Sequence, residues 1–158
     1  MPNWCVNKLS VKGNKDEVAK VKALFINDKD KVDFNIVTPM SPNLDGVTDS
    51  HSWKKEYWGT KWNACHSSNE TEPMPITDNE NQEICYIFDT AWAEPTDWYQ
   101  ALLLKIDALE LNSVEVNILY GESGFEFGGE ITRNTDGTRS SRTMPLAEID
   151  AFVKERFS

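Results

Sequence analysis

The 158-residue sequence lacks the patterns that mark several common classes of protein. No apolar stretch approaches the roughly 20 residues that a membrane-spanning helix requires. The first residues, Met1–Cys5, lack the basic region and the apolar run of a secretory signal. The glycine patterns of phosphate-binding loops are also missing. These absences predict a cytoplasmic protein. The length of 158 residues predicts a single domain over residues 1–158.

Cysteine and histidine are scarce, with three cysteines and two histidines. Cys5, Cys65 and Cys85 lie far apart, and no C-x-x-C pair is present, so the pattern predicts reduced thiols rather than disulfides. Cys65 is followed by His66, and His51 is the other imidazole, but these residues lack the paired spacing of structural zinc ligands. The sequence therefore predicts no metal and no cofactor.

Basic residues are also few, at 16 against 26 acidic residues, which gives a net charge of −10. The segment Ala64–Thr132 contains 14 acidic residues and a single basic one, Lys105. Direct nucleic-acid binding is not expected, because affinity for phosphates comes mainly from lysine and arginine. One interpretation is a solvated acidic surface. The other is an interaction face that mimics nucleic acid through exposed side chains such as Glu115, Glu126 and Glu130.

The apolar spacing predicts an α+β fold. Helices are predicted over 15–26 and 96–109, and a last helix opens at Pro145. Alternating or continuous apolar runs predict strands over 3–12, 32–38, 83–90, 113–121 and 124–133. The order predicts a ferredoxin-like, mainly antiparallel sheet of four to five strands with two helices on one face and a C-terminal helix. Ile84–Phe88 is apolar throughout, which indicates a central strand.

Two polar regions are predicted to be irregular. Residues 39–82 form an irregular insertion, and Ser67–Asn81 within it is predicted to be an exposed or disordered loop. Arg133–Arg142 is predicted to be a polar loop with a turn at Asp136 and Gly137.

Six tryptophans form the most unusual feature of the composition. Trp58 and Trp62 lie in one short segment, and Trp92 follows the apolar strand. Tryptophan favours pockets and interfaces as well as cores. The functional interpretation is a binding cleft. Its predicted residues are Trp58, Lys61, Trp62, Asp89, Trp92, Tyr120 and Glu122. The alternative is a core corner in which an irregular loop is held by aromatic packing. No catalytic arrangement is recognisable, so no catalytic residue is predicted.

Several segments resemble sequences of the YubB-like family, whose members are small phage and plasmid proteins with a ferredoxin-like domain. The segments are Asn3–Gly13, Trp58–Ala64, Phe88–Pro95 and Tyr120–Glu122 with Phe125 and Gly128. They follow one another over about residues 3–130, and Trp-Gly-Thr-Lys-Trp is the most specific. The resemblance implies a mobile-element accessory protein inside a bacterial cell. It implies no catalytic residues and no iron–sulfur cluster, for which three scattered cysteines would not supply the usual four ligands.

Two functions follow as hypotheses. The first is a non-enzymatic binding or inhibitor module that acts on a host protein, with the acidic, nucleic-acid-mimicking face as its candidate surface. The second is a small-molecule binding or sequestering protein, or an enzyme, that uses the tryptophan-lined cleft. The arrangement of acidic side chains discriminates between them, because a mimic needs an exposed array and a ligand site needs groups that converge in a concavity. The fold alone decides neither.

Overall fold

A computed structural model describes residues 3–41, 49–71 and 81–157. In chain order, the elements are β1 (Trp4–Asn14), α1 (Lys15–Phe25), α2 (Asp49–Tyr57), β2 (Cys65–Asn69), β3 (Asn81–Ala91), α3 (Thr96–Ala108), β4 (Glu115–Glu122), β5 (Phe127–Arg133), β6 (Arg139–Thr143) and α4 (Leu146–Phe157).

The described strands form one six-stranded sheet in the order β2-β3-β1-β4-β5-β6. Every neighbouring pair is antiparallel, which confirms the predicted α+β class and the antiparallel sheet. The first strand is central, and Val6 pairs with Asp89 of β3 on one side and with Gly121 of β4 on the other. The sheet has six strands rather than the four to five predicted, since β2 and β6 come from regions predicted to be irregular.

One face of the sheet packs against α1 and α3 in the larger core. Each helix has an apolar stripe that repeats every 3.6 residues, and this stripe packs against every second residue of the strands. The helix contribution to this core is Val18, Val21 and Phe25 from α1, and Trp98, Tyr99, Leu102, Leu103 and Ile106 from α3. Tyr86 and Phe88 are fully buried here, while Ile87 is half-buried on the opposite face, so β3 is central as its apolar run predicted.

The opposite face of the sheet packs against α4. Ile149 and Phe152 of this helix lie over Gly121 of β4 and Gly128 of β5, which pair with each other in register. A Cβ on Gly128 would lie 2.8 Å from Ile149 Cγ1, so only a glycine lets the helix approach this closely. A smaller core results, in which Val6, Met144, Ile149 and Val153 are buried.

The strand predicted over Val32–Thr38 is wrong, because Val32 makes only an isolated antiparallel bridge with Ile26 and residues 34–37 form a turn. Val32 and Phe34 are buried as in a strand, but side chains rather than a neighbouring strand satisfy their backbone. The Val32 N–H donates to Ser67 Oγ at 3.0 Å, and the Phe34 N–H donates to Asn63 Oδ1 at 2.9 Å. An apolar alternation thus reports burial here, but not a sheet ladder.

The polar loop predicted over Arg133–Arg142 is partly wrong, because β6 begins at Arg139. Every residue of this strand is exposed, so no apolar alternation marks it. Its arginines are held by ion pairs instead: Arg139 with Asp107 and Arg142 with Glu130, both at 2.6 Å. The spacing of apolar residues therefore cannot predict an exposed, charged edge strand of this kind.

The predicted irregular insertion over 39–82 contains regular structure. Helix α2 and strand β2 both lie within it, and β3 begins at Asn81. Of the predicted loop Ser67–Asn81, the first residues belong to β2, and residues 72–80 lie outside the described residues. Strand β2 was missed because its sequence, CHSSN, is polar at an outer edge of the sheet.

Candidate functional site

The residues of the predicted cleft lie on opposite faces of the sheet. Tyr120 pairs with Asn7 and is packed against the larger core, whereas Asp89 pairs with Val6 and lies on the face of α4. Successive strand residues point to opposite faces, so Asp89 and Tyr120 cannot line one concavity. The prediction of a single cleft is corrected accordingly.

Trp58 belongs to the core rather than to a cleft, because its relative exposure is only 1%. Its ring packs edge-on against Phe34 at 5.6 Å between centroids, and Phe34 also contacts Trp98 at 4.4 Å. The Trp58 Nε1–H donates to the carbonyl of Thr38 at 2.9 Å. The interpretation of an irregular loop held by aromatic packing is correct for this residue.

Trp62 lies in a different aromatic cluster, at the end of the sheet where β1 begins. Its ring centroid is 6.1 Å from that of Trp4, and the Lys61 ammonium lies 5.4 Å from the Trp62 ring. Trp4 in turn contacts the imidazole of His66 edge-on at 4.9 Å. Two predicted residues, Lys61 and Trp62, therefore contact each other, but the ring contacts of the described residues do not join Trp62 to Trp58 or Trp92.

Asp89 is a buried carboxylate between two cationic or cation-forming side chains. It is 1% exposed; its Oδ2 lies 2.8 Å from His66 Nδ1 and its Oδ1 lies 3.3 Å from Arg156 Nε. The Arg156 Nη2 also donates to the carbonyl of His66 at 2.6 Å, so α4 is bonded directly to β2. Burial of a carboxylate requires such partners.

His66 and Arg156 were missed as partners of Asp89. His66 lies at a register shift in β2 with a left-handed φ of 53°, which no periodicity predicts. Arg156 lies 67 positions from Asp89 along the chain. Because an ionised carboxylate only accepts hydrogen bonds, the His66 Nδ1–H donates to Asp89 Oδ2, and Nε2 is left for solvent or a ligand.

The neighbouring Cys65 is a poor nucleophile. Burial and, to a lesser extent, the carboxylate of Asp89 raise the pKa of its thiol above the usual value. A thiolate is the reactive form of cysteine, so a raised pKa disfavours covalent catalysis.

A groove lies between α4 and the sheet, next to the Asp89–Arg156 pair. Its volume is about 160 Å³. Val6 of β1, Ile87 of β3 and Phe152 of α4 supply its apolar lining, and Arg156 also lines it. Lys8, Glu70 and Glu155 complete the lining with charged groups. This concavity combines charges of both signs with apolar surface, as small-ligand sites do.

Trp92 is exposed and contacts an aromatic residue that the sequence analysis did not select. Its ring centroid lies 6.3 Å from that of Phe125, and the two side chains are 43% and 64% exposed. We call Trp92 and Phe125 the aromatic pair. It lies at the end of the sheet where β3 ends and β4 turns into β5.

The turn that carries Phe125 is held by Glu122. The buried carboxylate accepts the backbone N–H of Gly124 and the backbone N–H of Phe125, each at 2.6 Å. Glu122 therefore fixes the backbone of this turn. Glu126, which follows Phe125 in the turn, has a left-handed φ of 58°.

The predicted acidic residues do not form one array. Glu115 is exposed at the start of β4, whereas Glu126 is exposed in the turn after its end. At about 3.3 Å per strand residue, they are separated by roughly 20 Å. Glu130 is half-buried and pairs with Arg142 at 2.6 Å, while Asn117 Nδ2 donates to it at 2.8 Å. Its charge is therefore partly neutralised.

Among residues 3–41, 49–71 and 81–157, no group of three His, Cys, Asp or Glu side chains is placed to hold a metal ion. Within the same described ranges, no helix is long and apolar enough to cross a membrane.

Comparisons with known proteins bear on the fold. No family model matches the chain, and no curated protein matches it. Among solved structures, the chain is similar to the protein api92 from Yersinia pseudotuberculosis, which carries the family model DUF1281. The TM-score is 0.50 with 16% sequence identity, over 72% of this chain and 39% of api92. The likeness shows the fold alone, and the chain corresponds to well under half of api92.

Proposed function

We propose that the protein is a non-enzymatic binding module that docks on a basic, Arg- or Lys-bearing surface of a protein partner through its aromatic pair. The observation that carries this proposal is the contact between two large aromatic side chains that are both substantially exposed, at 43% and 64%. Exposed aromatic residues on a rigid support are the usual anchors of protein interfaces.

The support under Trp92 is rigid because a chain of buried hydrogen bonds ends in its turn. The Tyr99 hydroxyl donates to Asn7 Oδ1 at 2.5 Å, and Asn7 Nδ2 donates to Thr90 Oγ1 at 2.9 Å. Thr90 Oγ1 then donates to the carbonyl of Ala93 at 2.7 Å. A turn whose backbone is held in this way loses little conformational entropy when a partner binds.

The backbone of Trp92 is itself unusual. Its φ is 70°, in the left-handed region that a bulky residue rarely adopts, and its N–H donates to the carbonyl of Asn3 at 2.9 Å. Strain of this kind persists where the surrounding structure imposes it, and it is concentrated at functional sites. The fixed turn presents the indole to solvent instead of folding it onto the core.

The acidic residues in the two segments that carry the aromatic pair favour a basic partner. The two segments that carry the pair, residues 89–97 and 122–127, contain five acidic residues and no lysine or arginine. Of these, Asp97 and Glu126 are exposed, and Glu94 is half-buried. Aromatic faces attract guanidinium and ammonium groups, and an acidic border steers such a surface into contact. Of the predicted acidic face, Glu126 belongs to this surface.

Further proposals concern fold family and origin. The elements β1, α1, β2, β3, α3 and β4, with spatial order β2-β3-β1-β4, support a ferredoxin-like core that β5, β6 and α4 extend. Together with the segments shared with the YubB-like family, this supports a phage or plasmid accessory protein that acts on a host protein in the bacterial cytoplasm.

The test compares capture of bacterial proteins by the wild type, by Trp92→Ser/Phe125→Ser and by Leu104→Ser. Leu104 is a matched control, because it is 60% exposed on α3, away from the aromatic pair. Each captured protein is purified, and its affinity is measured by calorimetry at low and high salt.

We expect a partner with a basic surface whose affinity falls at least about ten-fold in the double variant, since truncation of an aromatic anchor costs about 2 kcal/mol or more. Leu104→Ser should bind like the wild type, and high salt should weaken binding. Equal affinity of the double variant and the wild type for every captured protein would reject the aromatic pair as the docking surface.

A further inference from the structure

The groove between α4 and the sheet carries four charged side chains around an apolar floor. Lys8 of β1 and Arg156 of α4 are positive, while Glu70 and Glu155 are negative. Val6 and Ile87, together with Phe152, supply the apolar surface. On α4, Phe152, Glu155 and Arg156 follow at spacings of three and four residues, so they share one face of the helix.

The guanidinium of Arg156, which lines the groove, is held in place by other protein groups before any ligand binds. Arg156 Nε bonds to Asp89 Oδ1 at 3.3 Å, and Arg156 Nη2 donates to the His66 carbonyl at 2.6 Å. Asp89 is buried and also contacts His66, so the guanidinium is held on a rigid anchor. A planar guanidinium fixed in this way is suited to a carboxylate.

On the opposite side of the groove, Glu70 follows β2 and is held by a hydrogen bond from Ser68 Oγ at 2.6 Å. The Glu70 backbone N–H donates to the carbonyl of Cys85, which places the residue beside β3. Its carboxylate is exposed and suits an ammonium group.

The volume limits the size of the ligand. A cavity of about 150 Å³ accommodates benzene, a molecule of six heavy atoms. The groove measures about 160 Å³ and is open to solvent on one side, so a molecule of roughly six to nine heavy atoms fits it. That range is too small for a nucleotide or a peptide, and it includes the aliphatic amino acids.

We infer that this groove binds a free α-amino acid with a small aliphatic side chain. The carboxylate lies against Lys8 and Arg156, the ammonium against Glu70, and the side chain on Val6, Ile87 and Phe152. Charges of both signs on a single small ligand match the two signs of the groove. The inference is independent of the aromatic pair, which lies outside this lining.

The experiment titrates the full chain with L-leucine and two matched probes, followed by calorimetry and by two-dimensional NMR. The probes are L-leucinol, which lacks the carboxylate, and 4-methylpentanoate, which lacks the ammonium. L-leucine should bind at least about ten-fold more tightly than either probe, because a hydrogen bond to a charged group contributes about 1.5–3 kcal/mol. The NMR shifts should be centred on Val6, Ile87 and Phe152.

The matched variants are Lys8→Met and Lys12→Met, because both lysines point to the same face of β1, but only Lys8 lines the groove. Lys8→Met and Glu70→Gln should each weaken leucine binding about ten-fold, and Lys12→Met should leave it unchanged. The inference is overturned if no amino acid with an aliphatic side chain binds at millimolar concentration. It is equally overturned if leucine binds Lys8→Met and Glu70→Gln as it binds the wild type.

Discussion

Trp58 donates a hydrogen bond from its indole to the backbone carbonyl of Thr38, at 2.9 Å, from inside the larger core. Trp98 lies in the same aromatic cluster around Phe34 and is equally buried, but its Nε1 is a buried donor without a partner among the described residues. Two tryptophans of one cluster therefore differ in a single hydrogen bond.

This difference predicts unequal costs for the same substitution. Both Trp58→Phe and Trp98→Phe remove similar apolar volume, but only Trp58→Phe loses a hydrogen bond. Trp58→Phe should lower the free energy of unfolding by about 1 kcal/mol more than Trp98→Phe. Urea denaturation followed by circular dichroism measures both values. A larger loss for Trp98→Phe would contradict the hydrogen-bond argument.

The pair formed by Asp89 and Arg156 predicts strong coupling. Arg156→Gln leaves a carboxylate of 1% exposure with the His66 imidazole as its remaining side-chain partner among the described residues, and should cost about 3 kcal/mol of stability. Asp89→Asn removes the charge as well, so the double variant should lose clearly less than the sum of the two single losses. Additive losses in this double-mutant cycle would show that the pair is not coupled.

Gly121 and Gly128 predict a graded loss in the packing of α4. A Cβ on Gly128 meets the Tyr120 backbone oxygen and Ile149 Cγ1, both at 2.8 Å, whereas a Cβ on Gly121 meets the Phe152 ring at 3.1 Å. Gly128→Ala should cost about 2 kcal/mol, since the backbone cannot yield, and Gly121→Ala about 1 kcal/mol or less. Thermal denaturation measures both variants, and the reverse order would contradict this account.

Glu130 predicts a dependence of stability on pH. The amide of Asn117 and then the guanidinium of Arg142 hold the pKa of its carboxyl below the usual value. The unfolded chain therefore binds the proton first as pH falls through about 4.5. The stabilisation is complete above that pH and is lost as pH drops through the lowered pKa. Melting temperatures between pH 6 and pH 3 should fall less steeply for Glu130→Gln than for the wild type, while Glu115→Gln serves as the exposed control.

The parts of the fold that could be predicted are those in which burial leaves a period in the sequence. The helical spacing of Val18, Val21 and Phe25 placed α1 within one residue of its observed end, and the run Ile84–Phe88 identified β3. Strand β6 could not be predicted, because an exposed edge strand has no buried side. Residues 32–38 were mistaken for a strand, because Val32 and Phe34 are buried although Val32 makes only an isolated bridge and residues 34–37 form a turn.

The site could be predicted only in part, for a similar reason. Asp89 and Trp92 were selected because they adjoin an apolar strand, but a sequence contains no information on which face of the sheet a distant residue joins. His66 and Arg156 reach Asp89 from 23 positions before and 67 positions after it. Phe125 contacts Trp92 only because the ends of β3 and β4 lie at the same end of the sheet.

The central position of β1 has a consequence for synthesis of the chain. This strand leaves the ribosome before every other strand described, yet its two neighbours are β3 and β4, whose residues are made much later: Trp4 pairs with Ala91, and Val6 pairs with Gly121. Until both have emerged, the apolar residues of β1 have no sheet in which to be buried, and pairing of such distant segments is slow. The apolar residues of β1 therefore remain without their two sheet partners until the segment that contains Gly121 has been made.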